Sequence, residues 1–379
     1  MALNNKIIRS ATVSLSIDFF RDVMIKMRAK GYEMVALSSP GEDLVRIHTQ
    51  DGFQIIEVPM ERHISIWKDV KALFCLIRVF LKERPLVVHS ITPKAGLLCM
   101  MAAWITRVPV RIHTFTGLVW PTATGISRRI LMTTDWLTCA CATHVIPEGE
   151  GVKSDLQKHI TNKPMKVLGY GNVMGVDMER FNPDSFYNVE RNAEVFTYLF
   201  VGRIVGDKGI NELVWAFSRL FKRHPNIRLR LVGEYEPELD PLESETDKAI
   251  SSNHAIEANG RLYGDNLLKA YATADCFVMP SYREGFPNSV LEAGAMGLPQ
   301  IVTDINGSRE IITNDVNGLI VPSKDRVALY NAMERMLTDD KLRVKLKTHA
   351  REMIANRFER SFVQQCQIDF YDEILAPYK

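Results

Sequence analysis

The 379-residue sequence contains no Asp-x-Asp pair, no C-x-x-C pair and no apolar run long enough to cross a bilayer. Its longest apolar run, Ala95 to Ile105, has 11 residues, against the roughly 20 that a spanning helix needs. No apolar segment follows Met1-Ala-Leu-Asn-Asn-Lys6, so a secretory leader is not expected and the expected location is cytoplasmic. Cysteine is sparse, at positions 75, 99, 139, 141, 276 and 366, mostly inside apolar runs. Buried free thiols are expected rather than zinc or redox chemistry. Excess charge is also scarce, because the net value of +2 hides two opposed halves. Residues 1–175 hold 22 Lys and Arg against 14 Asp and Glu, while the remainder holds 25 against 31. A basic first half suits an anionic acceptor or an anionic membrane surface. No recognised nucleic-acid-binding motif accompanies it, so no nucleic-acid partner is expected. Tandem repeats and low-complexity segments are absent as well.

What is present fits two domains of ordinary size, each able to bury a core. Short apolar runs alternate with amphipathic segments, the pattern of an α/β chain with doubly wound parallel sheets. Strands are expected at Ile7–Val13, Glu33–Leu37, Gln54–Val58, Leu86–His89, Val110–Thr114 and His144–Pro147. Helices are expected at Phe19–Lys30, Lys68–Arg84 and Lys94–Arg107. A second series of strands runs through Val195–Gly202, Arg228–Gly233, Ile256–Leu262, Cys276–Pro280 and Gln300–Thr303. Between the series, a glycine-rich stretch from Leu168 leads into polar residues 181–190, read as a linker. The expected domains are therefore residues 1–178 and 190–357, with an amphipathic terminal segment at 358–379. Gly169-x-Gly171-x-x-x-Gly175 is not a dinucleotide fingerprint. Its third glycine comes one residue late, and a linker rather than a helix follows.

The most informative stretch is Ser281-Tyr-Arg-Glu284-Gly-Phe-Pro-Asn-Ser-Val-Leu-Glu292. It follows the apolar run Cys276–Pro280 and places a glycine turn at the start of a helix, where backbone N–H groups can hold an anion or sugar hydroxyls. Glu284 falls in the turn and Glu292 about two helical turns later, both expected to point into one pocket. Leu199-Phe-Val-Gly202-Arg203-Ile-Val-Gly-Asp-Lys208-Gly209 is a strand entering a glycine loop with two cations. Ligands of parallel sheets bind beyond the carboxyl ends of strands, so Arg203 and Lys208 are placed to hold a diphosphate, one as a planar fork and the other as a point charge. Further strand-end turns occur at His89-Ser-Ile-Thr-Pro-Lys94, His113-Thr-Phe-Thr116-Gly and Glu148-Gly-Glu150.

Glu284-x7-Glu292 in these surroundings resembles the E-x7-E element of the family-4 retaining nucleotide-sugar glycosyltransferases. The resemblance covers nearly the whole chain. Thr92–Leu98, Val108–Thr114 and Val145–Gly151 bring it closest to the group extending glycans on polyprenyl diphosphate, in capsule, O-antigen and glycoprotein pathways. It implies the GT-B fold, two Rossmann-like domains facing a cleft, with a final helix crossing back to the first domain. It implies donor binding by Gly202, Arg203, Lys208, Gly285, Phe286, Pro287, Asn288, Ser289 and Glu292, and near Tyr263, which is otherwise a core aromatic. Arg203, Lys208, Glu284 and His113 form the expected catalytic group; His113 alternatively is a hydrogen-bonded structural residue. Ser10, Thr12, Lys94, Thr116 and Glu148 are the expected acceptor-side residues. One departure is plain: many members carry a glycine-rich loop after the first strand, whereas Arg9–Asp18 contains no glycine.

Glycosyltransferases of the metal-dependent GT-A fold use Asp-x-Asp to hold a divalent ion on the donor diphosphate; lacking it, this chain is expected to work without metal or other cofactor. The expected partners are a nucleotide sugar, most simply UDP-linked, and a lipid-linked saccharide. Lys68–Arg84 and Ile126–Met132 mix basic and apolar residues, which suits peripheral contact with an anionic membrane at its inner face. For the first of these segments the alternative is an ordinary packed helix. A sugar-nucleotide epimerase of the same architecture and a non-catalytic nucleotide-binding assembly protein are the competing functional readings.

Overall fold

Most runs expected as strands are buried on both faces, as parallel strands covered by helices must be, while the edge runs Gln54–Glu57 and Ile256–Ala258 are largely half-buried or exposed. The computed structural model describes residues 5–61, 65–186, 188–189, 191–192 and 194–378. The chain divides into two units, Met1–Met174 with Ser361–Lys379, and Gly175–Arg360.

The first unit runs β1 (Lys6–Ser10), α1 (Ser14–Asp18), α2 (Arg21–Ala29), β2 (Glu33–Ser38), α3 (Glu42–Asp51), β3 (Gln54–Glu57), α4 (Ile66–Glu83), β4 (Val87–Ile91), α5 (Pro93–Ile105), β5 (Val110–Phe115), α6 (Gly125–Cys141), β6 (His144–Pro147) and α7 (Glu150–His159). The second runs β7 (Phe196–Val201), α8 (Ile210–Arg223), β8 (Ile227–Val232), α9 (Ser244–Ser252), β9 (Ile256–Ala258), α10 (Gly264–Ala272), β10 (Cys276–Met279), α11 (Asn288–Ala295), β11 (Gln300–Thr303), α12 (Ser308–Ile311), β12 (Gly318–Val321), α13 (Arg326–Thr338) and α14 (Asp340–Phe358). Helix α15 (Arg360–Leu375) then packs in the first unit.

All pairings between strands are parallel. One sheet is ordered β3-β2-β1-β4-β5-β6 and the other β12-β11-β10-β7-β8-β9. Read from its first strand, each sheet has the same 3-2-1-4-5-6 order, which reverses between strands one and four. Ligands of such sheets bind at that reversal, outside the carboxyl ends of the strands. It falls between β1 and β4 in one unit and between β7 and β10 in the other.

Three departures from the sequence reading have local causes. β1 stops at Ser10 rather than Val13, because Thr12 turns away and its Oγ1 accepts the Ala95 N–H at the start of α5. β9 stops at Ala258 rather than Leu262, broken by Gly260 at φ +62°. β12 went unanticipated. It opens on Gly318, where a Cβ would lie 2.9 Å from the Gln300 carbonyl oxygen.

In the first unit, Ile7 and Ile8 point into separate clusters on the two faces of the sheet. On the Ile7 side, the buried Arg9 guanidinium lies 4.1 Å from the Phe20 ring centroid and donates to the Tyr371 hydroxyl at 2.9 Å and to His89 Nδ1 at 2.7 Å. Because Arg9 can only donate, Nδ1 is the accepting nitrogen and Nε2 carries the proton. Nε2 then donates to Thr114 Oγ1 at 2.7 Å. Burial holds His89 well below the usual histidine range, so it stays neutral. This chain ties α15 to β1, β4 and β5. Tyr371→Phe removes one acceptor from Arg9 and one donor to His89, and should destabilise the first unit by about 1–3 kcal/mol. The check is the denaturant midpoint of that unit; an unchanged midpoint would show the hydroxyl to be dispensable.

Candidate active site

The site-bearing loops of the second unit are forced together by glycine. Gly209 has φ +71°, and a Cβ there would lie 2.1 Å from the Pro280 carbonyl oxygen. Only glycine lets the loop after β7 approach the loop after β10 so closely. The Asp207 carbonyl accepts the Tyr282 N–H at 2.8 Å, and Arg283 Nη2 donates to Asp207 Oδ2 at 2.8 Å. Across this seam Lys208 Nζ meets Glu284 Oε1 at 2.5 Å, with both side chains about 15% exposed. Two residues 76 apart, chosen separately from the sequence, form one ion pair.

A third loop closes on the same turn. Gly307 has φ +74°, and a Cβ there would come within 2.3 Å of the Gly285 carbonyl oxygen and 2.8 Å of Phe286 Cα. Thr303 Oγ1 donates to the Ser281 carbonyl at 2.5 Å. Phe286 is buried against Phe358. Only its backbone is therefore placed at the turn. Pro287 is the N-cap of α11, where no side chain caps the helix, and Asn288 and Ser289 form its first turn, half-buried. Gly202 follows β7, with its N–H on the Val232 carbonyl, and Arg203 comes next, 44% exposed and 3.5 Å from Glu236.

Glu292 sits in the next turn of α11, and its Oε2 accepts the Tyr271 hydroxyl at 2.8 Å. Desolvation pushes its carboxyl up to about 7, against the Tyr271 bond and the Arg180 charge, which favour ionisation. The two glutamates thus make separate contacts, Glu284 with Lys208 and Glu292 with Tyr271. Tyr263 is 64% exposed, with Arg261 4.8 Å from its ring centroid. That excludes a core aromatic.

In the first unit the residues expected on the acceptor side lie at or just beyond the carboxyl ends of β1, β4, β5 and β6. Ser10 ends β1 fully buried. Thr12 bonds Thr92 Oγ1 at 2.8 Å across the β1–β4 reversal, and Thr92 adopts φ +75° immediately before Pro93. Lys94 is paired with Asp69 of α4 at 2.7 and 2.8 Å, so the cation expected at an open helix start is held by a carboxylate. His113 is 1% exposed and shares a 2.8 Å bond between Nδ1 and Ser90 Oγ. Its ring lies so near α5 that a Cβ at Gly96 would be 2.4 Å from Cε1. Burial lowers His113 to about 3, so near neutrality it holds no charge; these facts fit the hydrogen-bonded structural alternative. Thr116 is half-buried just beyond β5, and Glu148 is buried after β6, its N–H on the Phe115 carbonyl.

Sequence reasoning missed Tyr271 and Gly307, and it read Gly209 and Thr92 only as parts of strand-end loops, without the close approach and the hydroxyl bond they make. A Thr-Pro pair before a helix was a readable signal for Thr92. For Tyr271 no signal distinguished it from a core aromatic.

Comparison with known proteins agrees with this arrangement. The family described as "Glycosyl transferases group 1" matches residues 183–353, and the "Glycosyl transferase 4-like domain" matches residues 19–171. A "Capsular polysaccharide biosynthesis glycosyltransferase CapM" of Staphylococcus aureus is 31% identical over 378 residues, 98% of either chain. The chain belongs to the family-4 glycosyltransferases. It is a hexosyltransferase of the GT-B fold. An Escherichia coli "UDP-Gal:alpha-D-GlcNAc-diphosphoundecaprenol alpha-1,3-galactosyltransferase" is 30% identical over 311 residues, 78% of each chain. Among solved structures, sucrose-phosphate synthase from Thermosynechococcus elongatus superposes with a TM-score of 0.81 at 20% identity, over 98% of this chain and 100% of that one.

The raised carboxyl of Glu292 has a consequence for stability. The folded protein keeps a proton up to about 7, whereas the unfolded chain releases it near the ordinary 4.5. Folding is therefore progressively disfavoured as pH rises across that window. Glu292→Gln should stabilise the second unit by about 3 kcal/mol above pH 7 and hardly at all below pH 4.5. Unfolding midpoints of both proteins across that range test it; parallel pH curves would refute it.

Proposed function

We propose that this glycosyltransferase transfers a hexose or N-acetylhexosamine from a UDP-sugar to a saccharide on a polyprenyl diphosphate carrier, with retention, in bacterial surface polysaccharide synthesis. The observation that carries the proposal is the Lys208–Glu284 pair at the β7–β10 reversal, beside an uncapped helix start. Arg203 and Lys208 supply the positive charge that a departing diphosphate needs, and the α11 N-terminus adds its dipole. Glu284 keeps Lys208 oriented before the donor arrives. With the turn backbone from Phe286 to Ser289, it then receives sugar hydroxyls, while Glu292 accepts the ribose hydroxyls. The acceptor hydroxyl enters from the face the diphosphate leaves, and a phosphate oxygen takes its proton. No side-chain base is needed, consistent with a neutral, buried His113. With cations on the protein to hold the diphosphate, no metal is required.

Similarity to the E. coli enzyme, whose name specifies UDP-Gal and a diphosphoundecaprenol-linked sugar, supports the donor and acceptor classes. An epimerase is not favoured, since the relatives named above are transferases. Peripheral membrane contact at the inner face draws support from α4 and α6. α4 buries Ala72, Leu76 and Phe80 yet leaves Trp67 87% and Phe74 61% exposed beside Lys68 and Lys71. α6 exposes Ile126, Ile130 and Trp136 beside Arg128 and Arg129. No helix of the described residues is long and apolar enough to cross a membrane.

A panel of sugar nucleotides, with and without a polyprenyl-diphosphate-linked sugar and with EDTA, tests the reading by nucleotide release. UDP release that requires the lipid acceptor and survives EDTA is expected; release that EDTA abolishes would overturn the metal-independent mechanism. Arg203→Ala and Lys208→Ala should each lower kcat by about 10²–10³ with much smaller changes in KM. Near-normal kcat in both would remove their proposed role.

A further inference from the structure

Tyr271 occupies an unusual position for a buried tyrosine. Its ring is 0% exposed, set in the core of the second unit at 6.1 Å from both Phe277 and Phe181, so a phenylalanine would satisfy the packing. A hydroxyl there must find a partner or lose its hydration without return. It reaches Glu292 Oε2 at 2.8 Å. Among the described residues no hydrogen bond is made to Glu292 Oε1, which leaves that oxygen for a ligand. Glutamate otherwise has three rotatable bonds with which to miss its target.

We propose that Tyr271 is a positioning residue: by donating to Oε2 it fixes the Glu292 carboxylate so that Oε1 is aimed at the donor ribose. This rests on the ribose-binding reading of Glu292 given above. Three features favour it. Tyr271 comes from α10 and Glu292 from α11, so the bond sets the separation of two helices as well as one rotamer. Burial and the neighbouring carboxylate push the Tyr271 hydroxyl well above its usual range, so it remains a donor at any physiological pH. The groups acting on Glu292 are few: Tyr271 from α10 and Arg180 from the segment before β7 both favour the ionised form. Arg351 of α14, close by, is engaged with main-chain carbonyls of Met178, Phe181 and Ala295. Ribose hydroxyls donating to Glu292 complete what Tyr271 begins, so donor binding draws the carboxyl toward its ionised form and releases a proton near pH 7.

The test is calorimetric binding of UDP to the full chain between pH 6 and 8, for wild type, Tyr271→Phe, Glu292→Gln and the double variant. Tyr271→Phe should weaken UDP binding by about 10-fold. It should also move the midpoint of the affinity–pH curve upward, since it removes a bond that favours the carboxylate. On the Glu292→Gln background the same change should matter less than about twofold, because both act through one contact. Equal losses on the two backgrounds would mean that the Tyr271 hydroxyl acts other than through Glu292, and would overturn the proposal. So would wild-type affinity and an unmoved midpoint in Tyr271→Phe while Glu292→Gln is weakened. Wild-type affinity in Glu292→Gln would instead overturn the ribose reading itself. If Tyr271→Phe fails to fold, 3-fluorotyrosine at position 271 keeps the ring and strengthens the donor. The midpoint should then fall, and an unmoved midpoint would overturn the proposal.

Discussion

The constraint on which the rest depends is the point where a parallel sheet reverses its strand order. When strand four pairs beside strand one, the loops leaving their carboxyl ends are neighbours although the residues are distant in sequence. In the second unit those loops carry Lys208 and Glu284, and the reversal makes them an ion pair. In the first unit the equivalent loops carry Thr12 and Thr92, which bond each other through their side chains. One topology produces a charged seam in one unit and a neutral, hydroxyl-lined seam in the other. That difference accords with the proposed division of labour, a diphosphate held in the second unit and a saccharide in the first.

Holding such loops in contact takes backbone conformations that few residues adopt. Gly209 and Gly307 both sit at positive φ with a carbonyl oxygen where a Cβ would stand, so each permits a loop to touch the Pro280–Phe286 segment. Gly233 does the same for β7 and β8, its would-be Cβ lying 1.8 Å from the Gly202 oxygen. These approaches bury backbone polar groups, which pair across the seam, as in Tyr282 N–H to the Asp207 carbonyl. The charged side chains are thereby mounted on rigid turns rather than on flexible loops. That suits a reaction whose barrier is lowered mainly by charges already in place.

Much of this was legible in the chain. Strands covered by helices on both faces read as mostly apolar runs, and each run expected as a strand forms one, from β1 to β11. Glu284, Lys208 and Arg203 were readable as strand-end loop residues, and each lies in a loop beyond β7 or β10. β12 was not, since Gly318-Leu-Ile-Val321 begins with a residue that disfavours strands and is chosen for space beneath the Gln300 carbonyl. Lys94 shows another limit: a cation at a helix start reads as ligand-facing, but its partner Asp69 lies 25 residues earlier on another helix. Tyr263 and Tyr271 were indistinguishable as sequence, one at a helix start and the other inside the helix. Tertiary packing leaves the first 64% exposed and buries the second completely.

Two polar groups differ in how fully the fold satisfies them. The Arg9–His89–Tyr371–Thr114 chain is deep in the first unit, and its donors meet acceptors from one end to the other. A satisfied network of that kind fixes geometry and asks nothing of a ligand. Glu292 is half-buried, its one hydrogen bond from a described residue goes to Oε2, and its carboxyl is driven up to about 7. A carboxylate left short of donors destabilises the fold that contains it. Its half-buried position and single hydrogen bond leave it the less satisfied of the two, and that difference is what the ribose-binding proposal for Glu292 draws on.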